Sequence, residues 1–327
     1  MSTSGSMNYA TSTQEIITEA LELLGVLGEG EAYTPAQYTS TVRTLNMMIK
    51  NWQAAGLNLF ALVINILFLK KDQQQYTLSS DTADHFTHNT TRAQLTTAPS
   101  LLGATSVAID VNSGFVAGTH IGIQLSDGTT MFWTTVTSVV GLVINLTDAL
   151  PANVNNGAII YGYQTKGNRP MRVLEAYLRR NSPNLTATDI PMGIVSRVDY
   201  WQLSTKSTAS QPLQVQFNPL VGTSTLRVWP VASDETQFLF LYSQRSLDDF
   251  DNAIDEPDYP QEWFLPLAYG LAVLLAPKYG TPQQDYVRIQ QLATKMYEDA
   301  FGWDAEQQTS VYFKPDNWGM DIGRRGN

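Results

Sequence analysis

His85, His88 and His120 are the first residues to question, because imidazole serves near neutral pH as both proton carrier and metal ligand. His85 and His88 share a short stretch with Asp84, and the three could be read as a metal cluster. No fourth ligand stands near them, whereas zinc sites use three or four well-spaced ones. A solvated polar loop is therefore the expected setting. His120 follows Gly118 and Thr119 at the start of an apolar run and reads as ordinary packing.

The acids invite a second kind of chemistry. Asp248, Asp249, Asp251, Asp255, Glu256 and Asp258 suggest calcium, but the run lacks the central glycine and terminal glutamate of an EF-hand loop. Helix capping with a solvated acidic face fits these residues better. Acids such as Glu29 and Glu31 leave a glycosidase-like carboxylate pair open, since separation across a cleft cannot be read from sequence. The chain contains no phosphate loop, dinucleotide fingerprint, nucleophile elbow or zinc-protease helix. The reading is of a non-enzyme, with no catalytic residue, metal ligand or cofactor assigned. Lys166, Arg169, Arg172, Arg179 and Arg180 form the only notable basic concentration. They read either as a helix with a solvated basic face or as a contact for a partner.

Composition narrows the classes further. The 327 residues carry a formal charge of −10, which opposes gripping nucleic acid through its phosphates. Hydrophobic residues make up 43%, enough for a folded core or two. Without cysteine, disulfides and thiol catalysis drop out. The opening MSTSGSMNYATSTQ has neither the basic region nor the apolar run of a secretory signal. The most membrane-like segment, Leu57 to Leu69, is shorter than the roughly 20 residues a spanning helix needs.

The elements that would position these groups are organised around Gln261 to Tyr279, QEWFLPLAYGLAVLLAPKY. With almost no polar face, it predicts a helix enclosed by protein on most sides, stopped by Gly280 and Pro282. Its expected partners are two amphipathic helices. One runs from Gln14 to Leu24 behind a Ser12 or Thr13 cap, and the other from Pro35 behind a Thr34 cap to the stop at Gly56. A last amphipathic helix spans Pro282 to Phe301. From Leu59 to Leu78 the residues favour strand, with a polar break at Lys70 to Gln75.

From there to Tyr163, short apolar runs broken by Gly, Asn, Asp and Pro predict a small β-barrel or sandwich, with SDGTT at Ser126 to Thr130 as a hairpin turn. Asp189 to Leu203 contains a short helix in this reading, and runs at 213–217, 225–231 and 237–242 suggest a β-meander. The expected class is α+β: a body of amphipathic helices with β-strands, and an inserted all-β domain. The helical body takes 1–60 and 246–302, its β-rich part 61–77 and 164–245, the insert 78–163, and an extended arm 303–327. The arm has no period yet holds Val311, Tyr312, Phe313, Trp318 and Met320, more apolar surface than a free tail keeps.

Three segments together resemble the head-to-tail adaptor proteins of short-tailed bacteriophages, the packaged-DNA stabilisation or tail accessory type. They are ALELLGVLGEGEAYTPAQYTSTVRTLNMMIKNWQAAGLNLF, then DIPMGIVSRVDYWQLSTKSTASQPLQVQFNP, then the run from Leu226 to Gly280. The resemblance spans roughly two thirds of the chain in order; the insert departs from the shorter members of the family. It implies a structural virion protein at the portal vertex, assembled in the host cytoplasm. Such a protein forms a ring, usually of twelve copies, beneath the portal protein, and carries the tail nozzle or fibre proteins. DNA passes through its channel without specific binding, and no membrane is involved. It further implies that the C-terminal arm docks on the portal through Val311, Tyr312, Phe313, Trp318 and Met320, with Arg324 and Arg325 at its end. A nozzle or fibre-anchoring component is the alternative within the virion, and a tail-borne peptidoglycan hydrolase the enzymatic one.

Overall fold

The computed structural model describes residues 9–55, 59–80, 83–94, 99–112, 114–180 and 188–304. The class is α+β. Contacts divide the chain into two units, one of Met1–Trp52, Asn58–Phe60 and Phe250–Asn327, the other of Gln53–Leu57 and Ala61–Asp249.

The first unit is helical. Helix α1 (Thr13–Leu23) opens on Ser12, whose hydroxyl accepts from the Glu15 N–H while the Glu15 carboxylate accepts from the Ser12 N–H at 2.8 Å, a reciprocal cap. Helix α2 (Pro35–Ala55) starts on a proline, whose fixed φ suits the first turn. The acidic loop meets α1 through its backbone: Thr13 N–H donates to the Asp255 carbonyl at 2.9 Å and Gln14 N–H to that of Ala253. A 3₁₀ turn at Gln261–Trp263 leads into the apolar helix Phe264–Tyr279, which ends on Gly280 at φ +67°, and a final helix spans Gln283–Trp303. Ile16, Ile17, Ala20 and Leu21 of α1, Leu45, Met48 and Ile49 of α2, and Leu267, Leu271 and Leu275 of the apolar helix are buried.

The expectation that this apolar helix is enclosed on most sides is corrected. Its Leu265 and Leu274 are exposed, and lying nine residues apart they leave openings on two sides of the helix.

The second unit holds a larger sheet of eight strands, a smaller one of six and a separate two-stranded pair. Strands β1 (Leu62–Phe68), β2 (Gln75–Leu78) and β3 (Phe86–Thr87) begin the larger one. The insert contributes β4 (Thr91–Gln94), β5 (Ser106–Ala108), β6 (His120–Gln124), β7 (Met131–Val140), β8 (Val143–Leu146) and β9 (Ile159–Tyr163). The chain then returns through β10 (Arg172–Arg180), β11 (Thr188–Ile194) and a short helix α3 (Arg197–Gln202). It continues through β12 (Ala209–Ser210), β13 (Gln214–Pro219), β14 (Ser224–Trp229), β15 (Val231–Ala232) and β16 (Phe238–Gln244). The apolar helix of the first unit and the one after it are hereafter α4 and α5.

The larger sheet has the order β2-β14-β13-β11-β10-β16-β1-β3 and is antiparallel except where β11 meets β13. Its edges β2 and β3 are successive in the chain, and Asp84 before β3 accepts from the Thr77 N–H of β2 at 2.7 Å, so the sheet is nearly closed. Its enclosed face holds Leu67, Tyr76, Leu178, Val215, Leu226, Val228, Leu239 and Leu241. The proposed meander of the last three runs is corrected: β13 and β14 pair, but β16 crosses over to lie between β10 and β1. The helical reading of the basic run is also corrected, since 172–180 is a strand held by β11 on one side and β16 on the other.

The smaller sheet, β4-β9-β6-β7-β8-β5, is the insert, and the ladder starts at Thr91. The β6–β7 hairpin turns at SDGTT. There Asp127 accepts from the N–H groups of Thr129 and Thr130, and Gly128 takes φ +77°. At Gly162 a Cβ would sit 2.5 Å from a Phe115 ring carbon, so only glycine lets the insert's core close there. Among the described residues no helix is long and apolar enough to cross a membrane.

Candidate assembly surfaces

Successive residues of a strand face opposite sides, so β1 and β16 each present a second apolar row. Ile66 and Phe68 of β1 and Phe238 of β16 point away from the sheet's own core and meet Met131, Ile159, Tyr161 and Tyr163 of the insert. Phe68 is the centre of this contact: its ring lies 4.8 Å from that of Trp133, 5.3 Å from Tyr161 and 5.4 Å from Phe238. The insert is thus packed onto the sheet.

Glu235, in the turn before β16, fastens the rim of this contact. Its two carboxylate oxygens accept from the Lys71 and Met131 N–H groups, both at 2.9 Å, and its own N–H donates to the Thr129 carbonyl at 2.8 Å. Glu235→Ala removes both carboxylate acceptors and is expected to cost about 1–3 kcal/mol. Chemical denaturation would measure that loss, with faster hydrogen exchange at Met131 locating it; unchanged exchange there would refute the assignment.

Two of the three histidines fall in the same place. His85 is not in a solvated loop: its ring stacks on Trp133 at 3.9 Å and its Nδ1 lies 2.7 Å from the Tyr163 hydroxyl. The loop reading failed because polar neighbours in the sequence hide that Phe86 beside it is a buried strand residue. Burial, with smaller contributions from Lys70, Lys166 and His120, pushes the His85 pKa down to about 3. His120 stacks on the other side of the node, 4.9 Å from the Tyr163 ring. His88 is exposed. Among the described residues no group of three His, Cys, Asp or Glu side chains is arranged to hold a metal ion.

The basic run does not form one patch. Arg179 makes a bidentate pair with Asp189 at 2.6 and 2.7 Å and lies 4.3 Å from the Phe240 ring centre, and it holds the Asp189 carboxyl below the usual range. Arg169 donates to the Leu220 carbonyl at 2.8 Å and Arg172 to that of Ala54 at 3.3 Å. Lys166 is half-buried, and Arg180 is exposed on the strand face opposite Arg179. The arm residues Val311, Tyr312, Phe313, Trp318, Met320, Arg324 and Arg325 lie outside the described residues.

Two open apolar surfaces were not legible in the sequence. On the larger sheet the row that begins under the insert continues beyond it: Phe240 and Tyr177 are half-buried, while Ile64 and Tyr242 are 42% and 38% exposed. These four, with Arg179 and Asp189, line a shallow depression of about 250 Å³. The second surface is a groove of about 610 Å³ in the helical unit, between α2, α4 and α5. Met47, Met48 and Trp52 form one wall, Val273 and Leu274 the floor, and Ala293 and Tyr297 the other wall. Gly270 allows it, because a Cβ there would meet the Trp52 ring at 2.9 Å and the Met48 sulfur at 3.1 Å. Met47 is 59% exposed and Leu274 45%, and Lys278 at the groove's end is already bound to the Thr44 hydroxyl at 2.6 Å. The signal for both surfaces was an apolar residue on each face of an element; pattern alone did not say which face stays open.

No protein-family model and no curated protein matches the chain. Among solved structures, VP17, a capsid protein of bacteriophage P23-77, is 9% identical over 59% of this chain and 77% of that one, with a TM-score of 0.12. At that score the similarity carries no argument.

Proposed function

We propose that this chain is a structural protein of a short-tailed phage virion, a head-to-tail adaptor that forms a ring between the portal and the tail. The observation that carries the reading is the open apolar row of Ile64, Tyr177, Phe240 and Tyr242, a surface suited to a protein neighbour. It gains weight from the three sequence segments that resemble the adaptors in order. In this reading the ring extends the DNA channel, retains the packaged genome and bears the nozzle or fibres. The formal charge of −10 on each copy keeps phosphate from adhering to the lumen. The C-terminal arm docks on the portal, and the insert meets the next tail component.

Electron microscopy of the protein mixed with its cognate portal complex tests this directly. A symmetric ring stacked beneath the portal is the expected class average, and it gives the copy number. Folded protein that never stacks would sink the adaptor role and leave the nozzle or fibre-anchor reading in its place.

A further inference from the structure

The α2–α4–α5 groove has an apolar lining and an open mouth, and α5 beside it is barely covered. Only Ile289 and Ala300 of that helix are buried, while Leu292, Phe301 and the groove-lining Tyr297 remain partly or well exposed. Something of apolar character fits here, and the chain itself carries a candidate. Past Asp304 come 23 further residues, 305–327. They begin with the polar spacer Ala-Glu-Gln-Gln-Thr-Ser and then bring Val311, Tyr312, Phe313, Trp318 and Met320.

The geometry of departure favours this occupant. Residues three or four apart share a helix face, so Gln290, Ala293, Thr294, Tyr297, Phe301 and Asp304 form one stripe of α5. The first four line the groove, and Phe301 stacks on Tyr297 with ring centres 6.1 Å apart. Asp304, the last described residue, therefore stands on the groove's own stripe of α5. From Asp304 back to Gln290 is about 21 Å along the helix at 1.5 Å per residue. An extended chain covers that in roughly seven residues. Val311 is the seventh residue after Asp304, so the spacer is long enough to return the first apolar cluster along the groove's length.

We propose that residues 311–320 seat in the α2–α4–α5 groove of the same chain. In that arrangement the segment's apolar residues cover the exposed Met47 and Leu274, and assembly draws the segment away. The proposal stands on the groove and the spacer and does not depend on the portal role.

The full-length chain tests it with a benzophenone amino acid in place of Phe313. It is photolysed in an equal mixture of unlabelled and isotopically heavy protein, and the cross-linked peptides are sequenced. The expected result is links to peptides of α2, α4 and α5 that never mix isotopes, and their loss when Met47→Arg and Leu274→Arg are combined. Both of those residues are well exposed, so the fold survives; circular dichroism checks that. Isotope-mixed links would overturn the proposal in favour of arm exchange between copies. Links that avoid the groove, or that persist in the double variant, would overturn it outright. None of these results bears on ring formation at the portal, which the microscopy decides separately.

Discussion

Trp263→Ala is expected to lose about 3–5 kcal/mol of stability, the range for truncating a buried aromatic where neighbours cannot collapse into the space. Trp263 is 1% exposed, and its ring meets four others: Trp52 at 6.0 Å, Phe60 at 5.9 Å, Tyr259 at 5.7 Å and Tyr297 at 5.8 Å. These rings come from α2, the 3₁₀ turn Leu59–Ala61, the loop before Gln261 and α5, so one deletion loosens contacts of several elements at once. Trp263→Phe separates packing from hydrogen bonding. The indole Nε1 is buried with no acceptor, so a phenyl ring discards an unpaired donor while keeping most of the volume. It should cost clearly less than the alanine. Denaturant unfolding followed by helical circular dichroism measures both; equal losses for the two variants would show that the ring packing is not what matters.

Acid is expected to weaken the second unit through His85. Its folded pKa is about 3, against 6.5 for the free side chain. Between those values the unfolded chain binds a proton that the folded one does not, so stability rises with pH across the window and falls as pH drops below 6.5. Each unit of pH within it is worth about 1.4 kcal/mol, which makes the loss at pH 4.5 about 2–3 kcal/mol relative to pH 7. His120, also lowered by burial, adds in the same direction. His85→Phe keeps the stack on Trp133 and removes the titrating group. Denaturation at the two pH values should therefore show a smaller acid loss for the variant, and an equal loss would refute the assignment.

The helices were readable because their signals are local. Ser12 with Glu15, Pro35 at an N-terminus and Gly280 after Tyr279 each act within one turn. SDGTT was readable for the same reason. What escaped was set by distant residues. Arg172–Arg180 contains Leu, Glu, Ala and Arg, good helix formers with apolar residues at Leu174, Tyr177 and Leu178, yet pairing with β11 and β16 makes it a strand. The crossover that inserts β16 between β10 and β1 has no signature in the turns that flank it. Of the surfaces, the basic run was visible as composition, but the use of Arg169, Arg172 and Arg179 as internal fasteners depends on carbonyls and a carboxylate elsewhere in the unit. The open faces of α4 and of the larger sheet were hidden by the same apolar richness that made them conspicuous.

The junction at Phe68 decides whether the insert is a separable part of the chain. An insert attached only at its two ends could be lost or exchanged as a cassette. This one covers Ile66, Phe68 and Phe238, residues encoded on either side of it. Excising it would leave those side chains facing water, and transplanting it would strand Tyr161, Tyr163 and Trp133 without partners. The insert and the rows of β1 and β16 beneath it are therefore one packing unit, and a variant that removes the insert has to replace Ile66, Phe68 and Phe238 as well.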